Sequence, residues 1–161
     1  MLKTAFITGV TSGFGKAFAY RLASLGYQLI ITGRRRERLE AISLDLQTHF
    51  SVNVFPLCFD IRMQHECEQA FKSIPQSFQK IDLLVNNAGL AAGASPFDES
   101  SLDDFERMID TNVKGLLYIS KLVTPGMIER KSGQIINISS IAGIEVYPNG
   151  SVYCGSKHAV A

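Results

Sequence analysis

The chain predicts an α/β fold, a doubly wound parallel sheet with helices on both faces. Three observations predict it. Short apolar runs alternate along the whole chain with stretches of helical periodicity, the pattern of βαβ units. The strand-like runs are nearly continuous in apolar residues, as a sheet covered on both faces requires. Gly9, Gly13 and Gly15 fall between the first such run and the first helix, where the backbone has to turn.

The elements follow in order. Thr4 to Thr8 is a first strand, and Lys16 to Leu25 a helix with Phe14, Phe18, Leu22 and Leu25 at helical spacing. Gln28 to Thr32 is a second strand, then Arg38 to His49 a helix with Leu39, Ile42 and Leu46 on one face. Val52 to Phe59 is a third strand and Gln64 to Ser73 a helix. Ile81 to Val85 is a fourth strand, ending in Asn86, Asn87, Ala88 and Gly89. A Gly/Ala/Ser/Pro-rich loop from Leu90 to Ser100 follows that strand's carboxyl end, where ligands of open α/β sheets bind. Ser101 to Arg130 reads as a long helical stretch interrupted near Pro125–Gly126, Gln134 to Ile138 as a fifth strand, and a last helix starts near Ser151. No internal repeat, low-complexity tract or linker divides residues 1–161, so one domain is expected.

Composition narrows the class of function. The 161 residues suffice for a real core, and 46% hydrophobic with 19% charged residues is the balance of an ordinary globular chain. A net charge of +1 gives no global field toward nucleic acid or a membrane, so neither is expected as a partner. No apolar run reaches the length of a membrane span, and the first residues lack a signal-peptide core. Cys58, Cys67 and Cys154 have no metal-type spacing and read as free thiols of a reducing, cytoplasmic compartment.

The first turn carries the first chemistry. Glycines let backbone approach a pyrophosphate, and a helix N-terminus offers free N–H groups and partial positive charge to it. Thr11 and Ser12 add hydroxyl donors. The spacing Gly-x-x-x-Gly-x-Gly departs from the common Gly-x-Gly-x-x-Gly. The plain alternative is a tight turn that needs φ > 0. The second strand ends in Gly33-Arg34-Arg35-Arg36, with no acid before Glu37. An acid there would bond a free ribose 2′-OH, whereas arginine suits a 2′-phosphate, so NADP is favoured over NAD. Arg34 and Arg35 are the candidates; Arg36 and Arg38 read as a solvated helix start. Asp60, beside Ile61 at the third strand's end, is placed to touch the adenine, or to cap the helix ahead of Gln64.

The second chemistry lies near Ala161. Tyr153 and Lys157 are four apart and share a helix face, with Ser140 thirteen residues upstream of the tyrosine. An ammonium beside a phenol favours the phenolate, drawing its pKa from about 10 toward neutrality, where it can give or take a proton.

Together these motifs resemble the short-chain dehydrogenase/reductase family: Thr8-Gly9-x-x-x-Gly13-x-Gly15, Asn86-Asn87-Ala88-Gly89, Asn112 in Thr-Asn-Val-Lys-Gly, Ser139-Ser140, and Tyr153-x-x-x-Lys157. Gly13-Phe14-Gly15, Thr32-Gly33-Arg34-Arg35-x-x-Arg38-Leu39, Met108 to Asn112 and Pro125-Gly126-Met127 are similar to its bacterial NADP-dependent 3-hydroxy acid (serine or allo-threonine) dehydrogenases. The resemblance implies a Rossmann-like sheet of order 3-2-1-4-5. It implies an NADP-dependent oxidoreductase that interconverts a secondary alcohol, such as a 3-hydroxy acid, and a carbonyl. Tyr153 would be the general acid/base, and Lys157 would tune it and hold the nicotinamide ribose. Ser140 would bond the substrate oxygen, and Asn112 would anchor a water leading from Lys157. Gly9, Thr11, Ser12, Gly13, Phe14, Gly15, Arg34, Arg35, Asp60, Ile61 and Asn87 would bind the cofactor with Tyr153 and Lys157. Asn86 is expected to fix the backbone by an Asx-type bond. Glu145, Tyr147 and Asn149, in the loop from Ala142 to Gly150, are expected to line part of the pocket. No metal site is expected.

Family members continue well beyond the position of Ala161. The resemblance therefore implies that the sheet's C-terminal strands are missing, and that the full-length protein is a homo-oligomer, a tetramer or dimer. The alternative is an inactive nucleotide-binding fragment of such an enzyme.

Overall fold

In the computed structural model, which describes residues 2–93 and 95–161, five strands form one parallel sheet in the order β3-β2-β1-β4-β5. They are β1 Thr4–Ile7, β2 Gln28–Gly33, β3 Val54–Cys58, β4 Ile81–Asn86 and β5 Gln134–Asn137. The helices are α1 Gly13–Ser24, α2 Arg36–Phe50, α3 Gln64–Lys72, α4 Leu102–Ile109, α5 Gly115–Glu129 and α6 Ser151–His158. β1 pairs with β2 and with β4, Ile7 lying opposite Ile31 on one side and Val85 on the other.

Alternate residues of a strand face opposite sides of the sheet, and each side has its own core. Ala5, Ile7, Leu29, Ile31 and Val85 pack with Ala19, Leu22, Leu39 and Leu46 of α1 and α2. Phe6, Ile30 and Leu84 pack with Cys67, Ile119, Val123 and Met127 of α3 and α5. Because both faces are covered, β1 is buried at all four positions. At about 25 cal/mol per Å² of apolar surface, burial of such strands is the main term that holds the sheet.

Two expectations need correction. The buried face of α1 is Gly15, Ala19, Leu22 and Ala23, whereas Phe14 and Leu25 are 74% and 56% exposed. Small residues let α1 lie close to the sheet, and that closeness excludes the aromatic ring. Pro125 does not interrupt α5. Pro125 and Lys121 are both exposed, so the carbonyl that proline cannot bond faces water. The irregularity lies earlier, in a single π turn at Asp110–Lys114 between α4 and α5. β5 is an edge strand, paired with β4 alone among the described residues, and three of its four residues are exposed. Ala94, within the Leu90–Ser100 loop, lies outside the described residues. No helix of the described residues is long and apolar enough to cross a membrane.

Candidate active site

A cavity of about 960 Å³ opens at the carboxyl ends of the strands, lined by the turn after β1, the ends of β2 and β3, the segment after β4, and Ser140, Tyr153 and Lys157. It sits where the strand order reverses between β1 and β4, the crevice that an open α/β sheet offers a ligand. The turn after β1 needs its glycines for different reasons. Gly9 and Gly13 have φ of +71° and +56°, the left-handed region. Gly15 has no room: a Cβ there would stand 2.4 Å from both the Gly9 carbonyl oxygen and Asn87 Nδ2. A Cβ on Gly13 would meet nothing within 4 Å. The turn is therefore tight beneath and open above.

Its position is fixed from β4. Asn87 Nδ2 donates to the carbonyls of Thr8 (2.8 Å) and Gly9 (3.1 Å). Thr8 Oγ1 accepts from the N–H groups of Asn87 (3.0 Å) and Ala88 (2.9 Å). Arg35 braces the turn from β2, donating from Nη2 to Thr11 Oγ1 at 2.6 Å and to Ser12 Oγ at 3.3 Å. Each hydroxyl accepts from the guanidinium and keeps its own hydrogen to donate. Arg34, half exposed, stands 3.7 Å from Asp60 Oδ2. Asp60 does not cap α3; the N-cap position is Met63, and Glu66 reaches back to accept from the Asp60 N–H at 2.8 Å. The Asp60 carboxylate is instead taken by Arg62, at 2.6 Å from Nη2. Partial burial alone would raise the Asp60 pKa; the hydrogen bonds from Arg62 and the charges of Arg62 and Arg34 together outweigh it and hold the group below the usual carboxylate range.

The opposite wall is α6. Lys157 is only 6% exposed. Its Nζ donates to the Ile138 carbonyl at 2.9 Å and lies 6.0 Å from the centre of the Tyr153 ring. Burial pulls its pKa below the ordinary lysine value. Ser140 opens a short 3₁₀ turn, Ile141–Gly143, and its Oγ accepts from the Ala142 N–H at 3.2 Å. Ser139 Oγ donates to the Lys157 carbonyl at 3.0 Å, tying β5's end to α6. Asn112, in the π turn, accepts from the Leu90 N–H (2.8 Å) and donates to the Leu90 carbonyl and to Ser156 Oγ (both 2.9 Å).

Residues 3–161 match the family described as short chain dehydrogenase. The chain belongs to that family. It is 48% identical over 154 residues to a probable NADP-dependent dehydrogenase of Haemophilus influenzae, covering 96% of this chain and 60% of that protein. It is 46% identical over 151 residues to the NADP-dependent 3-hydroxy acid dehydrogenase YdfG of Salmonella typhi, covering 94% and 59%. The crystal structure of serine dehydrogenase from Escherichia coli superposes with a TM-score of 0.88 at 42% identity, covering 96% of this chain and 70% of that one. The chain thus spans about 60% of the length of the curated relatives it matches.

The fold brings most of the expected residues to one cavity. Gly9, Thr11, Ser12, Gly13, Phe14, Arg34, Arg35, Ile61, Asn87, Ser140, Tyr153 and Lys157 all line it. Gly15 lies beneath the turn and Asp60 beside the wall; neither lines the cavity. Asn112 also stands behind the wall, where its amide bonds to Leu90 and Ser156. Its side chain therefore braces the loop after β4, with both amide hydrogens used and a second acceptor position left on Oδ1. Asn86 makes no Asx-type bond; its Nδ2 donates to Ser120 Oγ and Asn137 Oδ1, because the last residue of a parallel strand faces its neighbours. No residue from 142 to 150 lines the cavity. Asn149, at φ +64°, and the Gly150 N–H to Tyr147 carbonyl bond close a turn there, and Ile144 and Val146 are 79% and 78% exposed.

Sequence reasoning missed Arg62 and Ser156. Ser156 is 1% exposed, accepts from Asn112 and donates to the Tyr153 carbonyl. Its place three residues after Tyr153, on the helix face beside Lys157, was the available signal. For Arg62 the signal was its position two residues after the expected Asp60, which a turn brings side by side.

Proposed function

We propose that the protein is an NADP-dependent oxidoreductase that interconverts a secondary alcohol and a carbonyl. One observation carries the reading: a glycine cradle flanked by Arg34 and Arg35 shares a single cavity with Ser140, Tyr153 and Lys157. The open space above Gly13, with Thr11 and Ser12 oriented by Arg35, suits a pyrophosphate. Arg34 and Arg35 would take the 2′-phosphate, and Phe14, Ile61 and Asn87 would complete the nucleotide wall. NADP, when bound, supplies hydride exchange.

The remaining chemistry belongs to the chain. Tyr153 moves a proton at the substrate oxygen. Ser140 Oγ donates to that oxygen and steadies charge developing on it. Lys157, a buried ammonium with one carbonyl partner given by the fold, supplies positive charge beside the phenol and has donors left for a ribose hydroxyl. Asn112 holds Leu90 and Ser156, and through Ser156 the Tyr153 backbone. Relatives named for 3-hydroxy acids and serine support a 3-hydroxy acid as the substrate class. A cytoplasmic location and self-association belong to the same proposal; exposed Leu102, Leu117 and Ile128 on α4 and α5 support the latter.

A second reading, nucleotide binding without turnover, needs only the glycine turn and the arginines beside it. Calorimetric titration with NADP+ and NAD+ tests the nucleotide claim common to both. Replacing Arg34 by Ala and Arg35 by Asp should cut the preference for NADP+ at least about tenfold, since hydrogen bonds to charged groups contribute about 1.5–3 kcal/mol each. An unchanged preference would remove these arginines from the phosphate site. NADP+-dependent oxidation of 3-hydroxy acids by the natural gene product separates the readings.

A further inference from the structure

The Asp60 carboxylate stands at the end of β3, against the wall where Arg34 faces the cavity. Arg62 grips that carboxylate from the other side. Its Nε lies 3.0 Å from both carboxylate oxygens, its Nη2 2.6 Å from Oδ2, and its main-chain N–H 3.1 Å from Oδ1. Arg62 is partly enclosed, 30% exposed at the side chain, and Asp60 20%. Two other carboxylates lie near. Glu66 is engaged by the Asp60 N–H. Asp110 attracts Arg62 and is itself paired with Lys114 at 2.7 Å.

An unshielded carboxylate at this place would work against a phosphate. It would repel the dianion, and it would draw the Arg34 guanidinium, now 3.7 Å away, into a closer pair. The bidentate grip of Arg62 meets both problems, because it satisfies the Asp60 oxygens and cancels their charge where Arg34 begins. We propose that Arg62 is a positioning residue for cofactor selectivity: by neutralising Asp60 it keeps Arg34 only loosely paired, at 3.7 Å, and able to hold the 2′-phosphate. The inference rests on the NADP reading above and assigns Arg62 no contact with the cofactor.

The test is calorimetric titration of the natural gene product with NADP+ and NAD+. A unit charge a few ångströms beyond a guanidinium acts through a partly aqueous medium, so Arg62→Gln should weaken NADP+ binding about fivefold to tenfold and leave NAD+ binding unchanged. Adding Asp60→Asn to Arg62→Gln removes the exposed charge and should return NADP+ affinity to within about twofold of the parent. Arg62→Lys keeps the charge without the fork and should retain most of the selectivity; it serves if the glutamine variant fails to fold in a thermal melt. The inference is overturned if Arg62→Gln leaves the NADP+/NAD+ ratio unchanged, if it weakens both cofactors alike, or if the second substitution restores nothing. A parent protein that binds NAD+ as tightly as NADP+ would overturn the NADP reading, and this inference with it. A parent that prefers NADP+ with an unaltered ratio in the variant overturns the inference alone.

Discussion

β1 and β5 have four residues each, and both end at the cavity. All four of β1 are buried between β2 and β4; three of four in β5 are exposed, with β4 the one neighbour among the described residues. The glycine turn on β1 is thus carried by apolar packing on both faces. Ser140 and α6, which follow β5, bury Ala142, Cys154 and Val160 and depend in addition on polar bonds that reach inward: Ser139 to Lys157, Lys157 to Ile138, Asn112 to Leu90 and Ser156, Asn86 to Asn137. Bonds of this kind contribute about 1 kcal/mol each and fix geometry more than they fix the fold. The adenosine side should accordingly fail through packing and sterics, and the Tyr153 side through single polar atoms.

The largest effect sharpens that contrast. Tyr153→Phe keeps the ring and deletes the proton, so turnover of the natural gene product should fall by roughly 10²–10⁴, with cofactor affinity within about twofold. Near-normal initial rates would sink the acid/base role.

Two glycines break the adenosine side in different ways. Gly13→Ala meets no atom and bears only the strain of a left-handed φ, about 1–2 kcal/mol. It should fold, yet lose NADP+ affinity more than about tenfold, because its methyl enters the cradle. Gly15→Ala collides with the Gly9 carbonyl oxygen and should lose about 1–3 kcal/mol of stability. Urea melts with calorimetry on both variants would show the reverse ranking if the cradle were misread.

Ser156→Ala strips one partner from the Asn112 amide and should cost about 1–2 kcal/mol. Turnover should drop more than cofactor affinity, since the bond ends on the Tyr153 backbone. Equal losses in both would make Ser156 a plain packing residue.

The smallest effect is a pH slope. Burial lowers the folded-state pKa of Lys157, so the folded state penalises its charged form. Between that lowered value and the ordinary value near 10.4 the unfolded chain holds more protons, and stability rises with pH. Lys157→Met lacks this contribution. The stability difference should therefore move in favour of the parent as pH rises from neutrality toward about 10, read by urea unfolding; a flat difference would deny the burial penalty.

How much of this was legible beforehand varies by residue. The order of strands and helices, the glycine turn and the Tyr153–Lys157 face follow from residues within a few positions of one another, where backbone preference and periodicity act. The choice of Gly15, Ala19 and Ala23 as the buried face of α1 was not legible, because an exposed phenylalanine and a buried one look alike in a periodic pattern. The π turn was also hidden: its five residues, Asp110–Lys114, continue the helical pattern while the hydrogen-bond register slips.

Local pattern is enough for a parallel α/β sheet with an arginine-flanked glycine turn at one end and a Ser–Tyr–Lys set at the other. It takes the assembled fold to show that Asn87 locks Gly9 from 78 positions away, that Asn112 clamps Leu90 and Ser156, and that Asp60 belongs to Arg62 rather than to a helix cap. A polar side chain can often be satisfied by several partners, and which of them it meets is fixed only when the strands and helices that carry them are brought side by side.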